Sequence, residues 1–425
     1  VTTDATDGTP RRSRGADLAD PGFPLAAVVL LTTLPYLWPM EYSGVVKYWD
    51  AGSHLAFCFG FAVVQLAVWA FYRMLFPTPW YVPDPAGRYE AVLFGFCRLA
   101  IWGAIGANLY LLVNVLPRIG GGVFSMKSVV AEGEGLFILT QLHIWFLGPY
   151  VAIGLLRGER IVRTLALLGL LVLMRAVLVG ERLALLEFLL PLMVVLTLMG
   201  RIRIGWGRLF AIVGFVPVFF LSTEIFRSFW SKFADTGGGL SQFSLDFIIA
   251  WNLERFFSYY VDVTNKLYLT LTEQFFWQTS FWSVGMSRML YRFGLSELPD
   301  ESILFDTLER FGVRSQELTN PGGLQTFMSD FGWWGVAAYL GLVVLLLVAH
   351  RSARLGAPMA YGLYPVLWFT FADLVRLNYL YESRAIFPLI LFVGACAAAR
   401  LVALSETADP QVPDATGPLP ERSLP

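Results

Sequence analysis

An all-α, polytopic membrane protein is the fold class this sequence predicts, with about ten transmembrane helices and one long helical extracytoplasmic loop between the seventh and the eighth. Three observations predict it. Of the 425 residues, 56% are hydrophobic and only 15% are charged, whereas a water-soluble domain carries nearer a quarter. The apolar residues come in repeated runs of about the 17–25 residues that a membrane-crossing helix needs. One long stretch away from the tails, Ser222 to Phe331, is too polar to cross.

Taken in order, residues 1–21 are polar and include Arg11, Arg12 and Arg14. No cleavage pattern follows the first apolar run, so they read as a cytoplasmic tail ahead of an uncleaved signal anchor. Residues 22–221 hold seven apolar segments: Pro24–Met40, Ser53–Phe76, Ala91–Leu116, Gly135–Leu156, Thr164–Val179, Leu183–Leu198 and Leu209–Leu221. Residues 332–404 hold three more, Gly332–Ala349, Tyr361–Leu374 and Ala385–Ala403. The tail over 405–425 is rich in Pro, Asp, Thr and Ala and reads as disordered and cytoplasmic. Thr164–Leu198 is almost continuous. As one helix it would run to about 53 Å, against a hydrocarbon core of about 30 Å. A hairpin turning at Gly180 avoids that mismatch, and it keeps Glu181 and Arg182 out of the apolar interior.

Charge sets the predicted orientation. With both termini inside, fifteen basic residues fall in cytoplasmic segments, among them Arg73, Arg88, Arg157, Arg160, Arg163, Arg201, Arg351 and Arg354. Six fall in the short outer connections: Lys47, Arg118, Lys127, Arg182, Arg376 and Arg384. That bias places the 222–331 loop outside. Leu245–Trp277 has helical periodicity and many aromatics, so it lies at the membrane surface or packs over the bundle. Phe281–Phe293 and Ile303–Phe311 are two further loop helices. No internal repeat is visible, which weakens an inverted-repeat transporter.

Several function classes are excluded. Cys58, Cys97 and Cys396 sit inside apolar runs, as small packed hydrophobes do. No Cys/His spacing suggests zinc, and no nucleotide, kinase or serine-hydrolase signature occurs. No cofactor and no nucleic-acid partner is expected, and a transferred group must arrive already activated on a carrier.

The candidate site is a set of arginines at the outer ends. Arg175 lies within two turns of the end of the fifth segment, where it is functional or snorkels to the interface. Arg182 sits at the hairpin, with Glu181 and Glu187 close by. Arg255, Tyr259 and Asp262 share one face of the first loop helix, and Arg288 and Arg292 share a face of the second. Arg376, Glu382 and Arg384 fall between the ninth and tenth segments. Guanidinium forks suit the oxygens of a lipid-borne pyrophosphate. The carboxylate bases to consider are Glu132, Glu134, Glu224, Glu254, Asp262, Asp330 and Glu382, with Asp330 also placed to cap the eighth span. His54, at the outer end of the second segment, is the one histidine placed for proton transfer, while His143 reads as a packing residue.

Two stretches carry a resemblance. Arg175–Leu190 (RAVLVGERLALLEFLL) resembles the Gly-x-Arg hairpin and following apolar helix of the bacterial O-antigen polymerase group, though Glu181 stands where that family often has a small residue. Asn320–Gly341 (NPGGLQTFMSDFGWWGVAAYLG) resembles its Asn…Asp-Phe-Gly…Gly approach to the next helix. O-antigen ligases share the architecture but usually carry a histidine in the long loop, and Ser222–Phe331 has none. The resemblance implies a metal-independent membrane glycosyltransferase joining polyprenyl-pyrophosphate-linked repeat units; the alternatives are an O-antigen ligase-type transferase, or a lipid-linked oligosaccharide flippase or transporter. It implies arginines that hold the pyrophosphate, by position Arg175, Arg182, Arg255 and Arg384, and a carboxylate or His54 as the base, by position Asp262. Arg288, Arg292, Arg376, Tyr259, Asn320 and Asp330 would contact substrate. Membrane lipids, a flippase and chain-length regulators are the implied partners.

Overall fold

The computed structural model describes residues 17–41, 45–76, 87–117, 134–179, 181–202, 214, 218, 222, 245–274, 281–297 and 322–407. Among the described residues every regular element is a helix. In chain order these are α1 (Gly22–Leu37), α2 (Ala51–Leu75), α3 (Arg88–Val115), α4 (Glu134–Leu139), α5 (His143–Leu156), α6 (Val162–Leu178), α7 (Arg182–Leu198), α8 (Leu245–Thr272), α9 (Phe281–Arg292), α10 (Gly323–Phe331), α11 (Gly335–Arg354), α12 (Pro358–Asp373) and α13 (Ser383–Thr407). Single 3₁₀ turns occupy Gly332–Trp334 and Tyr379–Tyr381.

Five of the described stretches are long and apolar enough to cross a membrane: Ala51–Leu75, Arg88–Val115, Phe137–Leu156, Gly323–Arg354 and Ser383–Ser405. Gly22–Leu37 and Leu183–Leu198 are shorter apolar helices. Large apolar side chains stand exposed along α2 (Phe59, Leu66, Met74), α11 (Val344, Val348) and α13 (Leu391, Leu401). A continuous apolar exterior of that kind suits lipid and not water, as in a helical membrane protein. The seventh expected segment, Leu209–Leu221, and the loop helix at Ile303–Phe311 lie outside the described residues, apart from helical positions 214 and 218.

The core is built on α5, in which every residue from His143 to Gly154 is buried. Helices α3, α7 and α12 pack around it. At the α5–α12 crossing a Cβ on Gly148 would meet the Tyr361 carbonyl, and one on Gly362 would meet the Trp145 carbonyl at 2.7 Å. Reciprocal glycines let the two backbones approach closely. Gly148→Val is therefore expected to cost at least about 1–3 kcal/mol through overpacking, read as a lowered thermal midpoint in detergent. The same change at Gly60, where a Cβ would meet nothing within 4 Å, serves as the control.

The expected hairpin is present: α6 and α7 end and begin on either side of residues 179–181 and pack on each other, with Phe188 3.0 Å from a Cβ on Gly169. Two expectations need correction, the fourth segment and the N-terminal stretch. The fourth segment is two helices, because Thr140, Gln141 and Leu142 make short i→i−3 backbone bonds that break α4 from α5. The eighth segment starts as expected, at the 3₁₀ turn Gly332–Trp334 that leads into α11, and α10 precedes it as a separate helix. Gly332 has φ 56°, and a Cβ on Gly335 would meet the Phe327 carbonyl, so α10 folds against the start of α11. Eight residues along a straight helix would instead be about 12 Å apart. The polar N-terminal stretch is not a free tail over its last residues. Leu18 and Ala19 are buried, and their carbonyls accept from the Trp368 indole (3.0 Å) and the Tyr364 hydroxyl (2.5 Å). Asp17 pairs with Arg354, and Asp20 accepts from the Trp69 indole at 2.8 Å.

Opposite that N-terminal contact, one end of the bundle gathers the 45–50 connection, the α6–α7 turn, the α12–α13 connection and helices α8, α9 and α10. Helix α8 packs over the bundle against α1 and α10 rather than standing alone on a surface, and residues 260–267 are all buried. Asn265 fixes it by accepting from the Tyr48 amide (3.1 Å) and donating to the Val46 carbonyl (2.6 Å). Phe281–Arg292 forms the second expected loop helix, and its Gly285 lies directly on the Tyr381 carbonyl.

Candidate functional site: a buried ion-pair network

The α4–α5 break is where the site begins. Shortening the turn leaves the Thr140 carbonyl free to accept from Asn108 Nδ2 (3.2 Å) and to meet His143 Nδ1 (3.0 Å). The Thr140 hydroxyl then accepts from Arg175 Nη1 at 2.5 Å, and Asn108 Oδ1 lies 3.4 Å from the same nitrogen. Arg175 Nε donates to Glu181 Oε2 at 2.5 Å, and its guanidinium carbon lies 4.7 Å from the Phe137 ring centre. The side chain is fully buried, which removes the snorkelling alternative.

Glu181 faces a second arginine. Its Oε1 lies 3.9 Å from Arg384 Nη2, at the start of α13. Arg384 Nη1 donates to Glu187 Oε1 at 3.3 Å, and Arg384 Nε lies 4.0 Å from Glu382. The Tyr379 hydroxyl donates to the same Glu187 oxygen at 2.7 Å. Residues 175 and 384, more than two hundred positions apart, are thus joined through one hairpin carboxylate. The side chains run inward from Glu382 (29% exposed) through Arg384 (20%) and Glu181 (18%) to Glu187 (0%). A buried arginine-carboxylate network is costly to assemble unless each charge is matched and hydrogen-bonded. Here Arg175 Nη2, Glu187 Oε2 and His143 Nε2 make no hydrogen bond. Nor does either atom of the buried Asn378 and Gln141 amides.

The α12–α13 connection ties this network to the helices above it. Gly323 N donates to the Leu374 carbonyl at 2.9 Å, and Tyr381 is 6.0 Å from Phe327 ring to ring. Asp330 is not a helix cap: the N-terminus of α11 has no side-chain cap. Instead it lies beside the Tyr381 hydroxyl, whose pKa is raised by burial first and then by the Asp330 charge.

The other candidates have contacts of their own. Arg376 makes a fork with Asp373 (3.0 and 2.5 Å). Burial opposes its charge, but Asp373, Tyr260 and Tyr259 outweigh burial and raise its pKa. Asp262 is locked to Lys266 at 2.5 Å. Burial pushes the Asp262 carboxyl up and the Lys266 ammonium down, each partner opposing the shift of the other. Arg255 is nearly buried, 5.1 Å from the Trp251 ring centre. Arg288 is half-buried on α9, and Tyr259 is half-buried on α8. The side chains of Arg182 and Arg292, and all of Asn320, lie outside the described residues, although Arg182 opens α7 directly beside Glu181. His54 is fully buried, stacked 4.0 Å from Tyr36 and 3.1 Å from the Thr32 carbonyl.

Sequence reasoning brought out Arg175, Arg384, Glu181 and Glu187 as charges near helix ends. It missed Thr140, Tyr379, Lys266 and Asn378, which are ordinary polar residues in pattern. The only signal for Tyr379 was its position between Arg376 and Arg384 in a short connection. No family model, curated protein or solved structure matches this chain.

Proposed function

We propose that this protein is a metal-independent membrane glycosyltransferase that joins undecaprenyl-pyrophosphate-linked oligosaccharide repeat units into a surface polysaccharide. In this proposal the chain crosses the bacterial cytoplasmic membrane ten times with both termini inside. Residues 222–331 face outward, and a flippase and a chain-length regulator work beside it. The observation that carries the reading is the meeting of Arg175 and Arg384 on Glu181, at the bundle end covered by α8, α9 and α10. Arg384 is partly exposed, and its three nitrogens face Glu187, Glu181 and Glu382, so it holds the carboxylates of the site while the pyrophosphate meets the other outward arginines. Arg175 acts through Glu181 as a positioning residue. Fixed cations aimed at the leaving pyrophosphate supply the electrostatic stabilisation such a transfer needs.

The test is chain growth in cells. Arg182→Ala and Arg255→Ala are each expected to leave folded protein in the membrane while surface glycan stops at one repeat. Normal-length polymer from both would remove those two residues from the site.

A flippase for the same lipid-linked saccharide is favoured by one observation, the unsatisfied Gln141 amide, buried like His143 and Asn108 in an apolar helix bundle. It predicts movement of the lipid-linked saccharide across vesicles containing the pure protein, with no joining of units.

A further inference from the structure

Asp262 was the expected base, yet its carboxylate is held by a lysine at 2.5 Å. Glu187 is arranged differently. Its Oε1 accepts from Tyr379 (2.7 Å) and Arg384 (3.3 Å), which fixes the plane of the carboxylate. Its Oε2 is fully buried and accepts nothing. A buried acceptor with no donor is costly, and more so when charged. Such an atom persists where an occupant supplies the missing proton. Arg175 Nη2, in the same network, lacks an acceptor. An anion would answer the arginine but be repelled by Glu187. A polyhydroxylated neutral ligand answers both, since each hydroxyl donates and accepts. Exposure falls along these side chains from Glu382 to Glu187, so the acceptor has to enter past Arg384 and Glu181. Glu187 is five residues from the start of α7, about 8 Å below that helix end.

From this geometry we infer that Glu187 is the general base for the acceptor sugar, with Tyr379 and Arg384 as the groups that orient it; the inference rests on the glycosyl-transfer reading of this site. The acceptor hydroxyl gives its proton to Glu187 Oε2 as its oxygen bonds to the anomeric carbon of the donor sugar. The bond from that carbon to the pyrophosphate oxygen breaks, and the electron pair leaves on the polyprenyl pyrophosphate. A base oriented by partners through one oxygen, with the other presented to the substrate, is the arrangement this chemistry requires.

The experiment uses the full-length protein in liposomes with purified lipid-linked repeat unit. Glu187→Gln keeps an oxygen for Tyr379 and Arg384 but cannot take a proton. Its joining rate is expected to fall by at least about 100-fold, with the half-saturating concentration of repeat unit little changed. A rate within threefold of wild type overturns the role of Glu187 and leaves the polymerase reading standing. No polymer from the wild type overturns both. A second measurement needs no variant. An epoxide-bearing sugar, which ionised carboxylates open, is expected to label Glu187 in the wild type, with mass spectrometry showing less adduct when repeat unit is present. Equal labelling with and without repeat unit overturns the assignment.

Discussion

Arg175→Ala is expected to abolish polymer formation and to destabilise the protein by about 3–5 kcal/mol, the usual cost of stripping one partner from a buried ion pair. The stability loss has identifiable parts. Glu181 loses its 2.5 Å partner, the Thr140 hydroxyl loses a charged donor, and the Phe137 ring loses its cation. The functional loss has a different origin. Without Arg175, Glu181 loses the 2.5 Å partner that helps hold it where it faces Arg384. The two losses can be separated, because replacing both members of a buried pair with apolar residues is often nearly neutral. Arg175→Met with Glu181→Leu should therefore recover most of the thermal midpoint measured in detergent. It should not recover glycan length on gels. Recovery of both would mean that the pair only stabilises the bundle.

Arg384→Ala is the second large effect. Arg384 Nη1 faces Glu187, Nη2 faces Glu181, and Nε faces Glu382. Removing it leaves the fully buried Glu187 with the Tyr379 hydroxyl but no counter-charge. The joining rate is expected to drop by about 10²–10³-fold, the range for deleting one preorganised stabilising group. Arg384→Lys keeps the charge but loses the planar fork, so it cannot face three carboxylates from one side chain. It should fall between wild type and alanine in both rate and thermal midpoint. A lysine variant equal to wild type would show that net charge suffices and that the fork has no role.

What could be read from the sequence follows from the range of the interactions. The α6–α7 hairpin was legible because chain length against bilayer thickness is a local constraint. Arg175 and Arg384 were legible because an ionisable group near an apolar helix end stands out in composition alone. The partners were not. Tyr379 meets Glu187 across 192 positions, and Thr140 meets Arg175 across 35. Neither residue type is unusual where it stands. Arg376 shows the opposite failure: it stood out as a charge in the outer mouth, but its partner is Asp373, three residues back at the end of α12. The break at residues 140–142 was hidden because the hydropathy is continuous across it, while Thr140 sets the geometry. The burial of Leu18 and Ala19 was hidden by the charged residues on either side, which turn out to anchor the segment rather than solvate it.

The most direct test of the account is reconstitution of the pure protein in liposomes with a purified undecaprenyl-pyrophosphate-linked repeat unit, followed by separation of the products by length. A ladder of joined repeats from the wild type, absent with Arg384→Ala, is the predicted result. Movement of intact lipid-linked units across the vesicle with no ladder would contradict it.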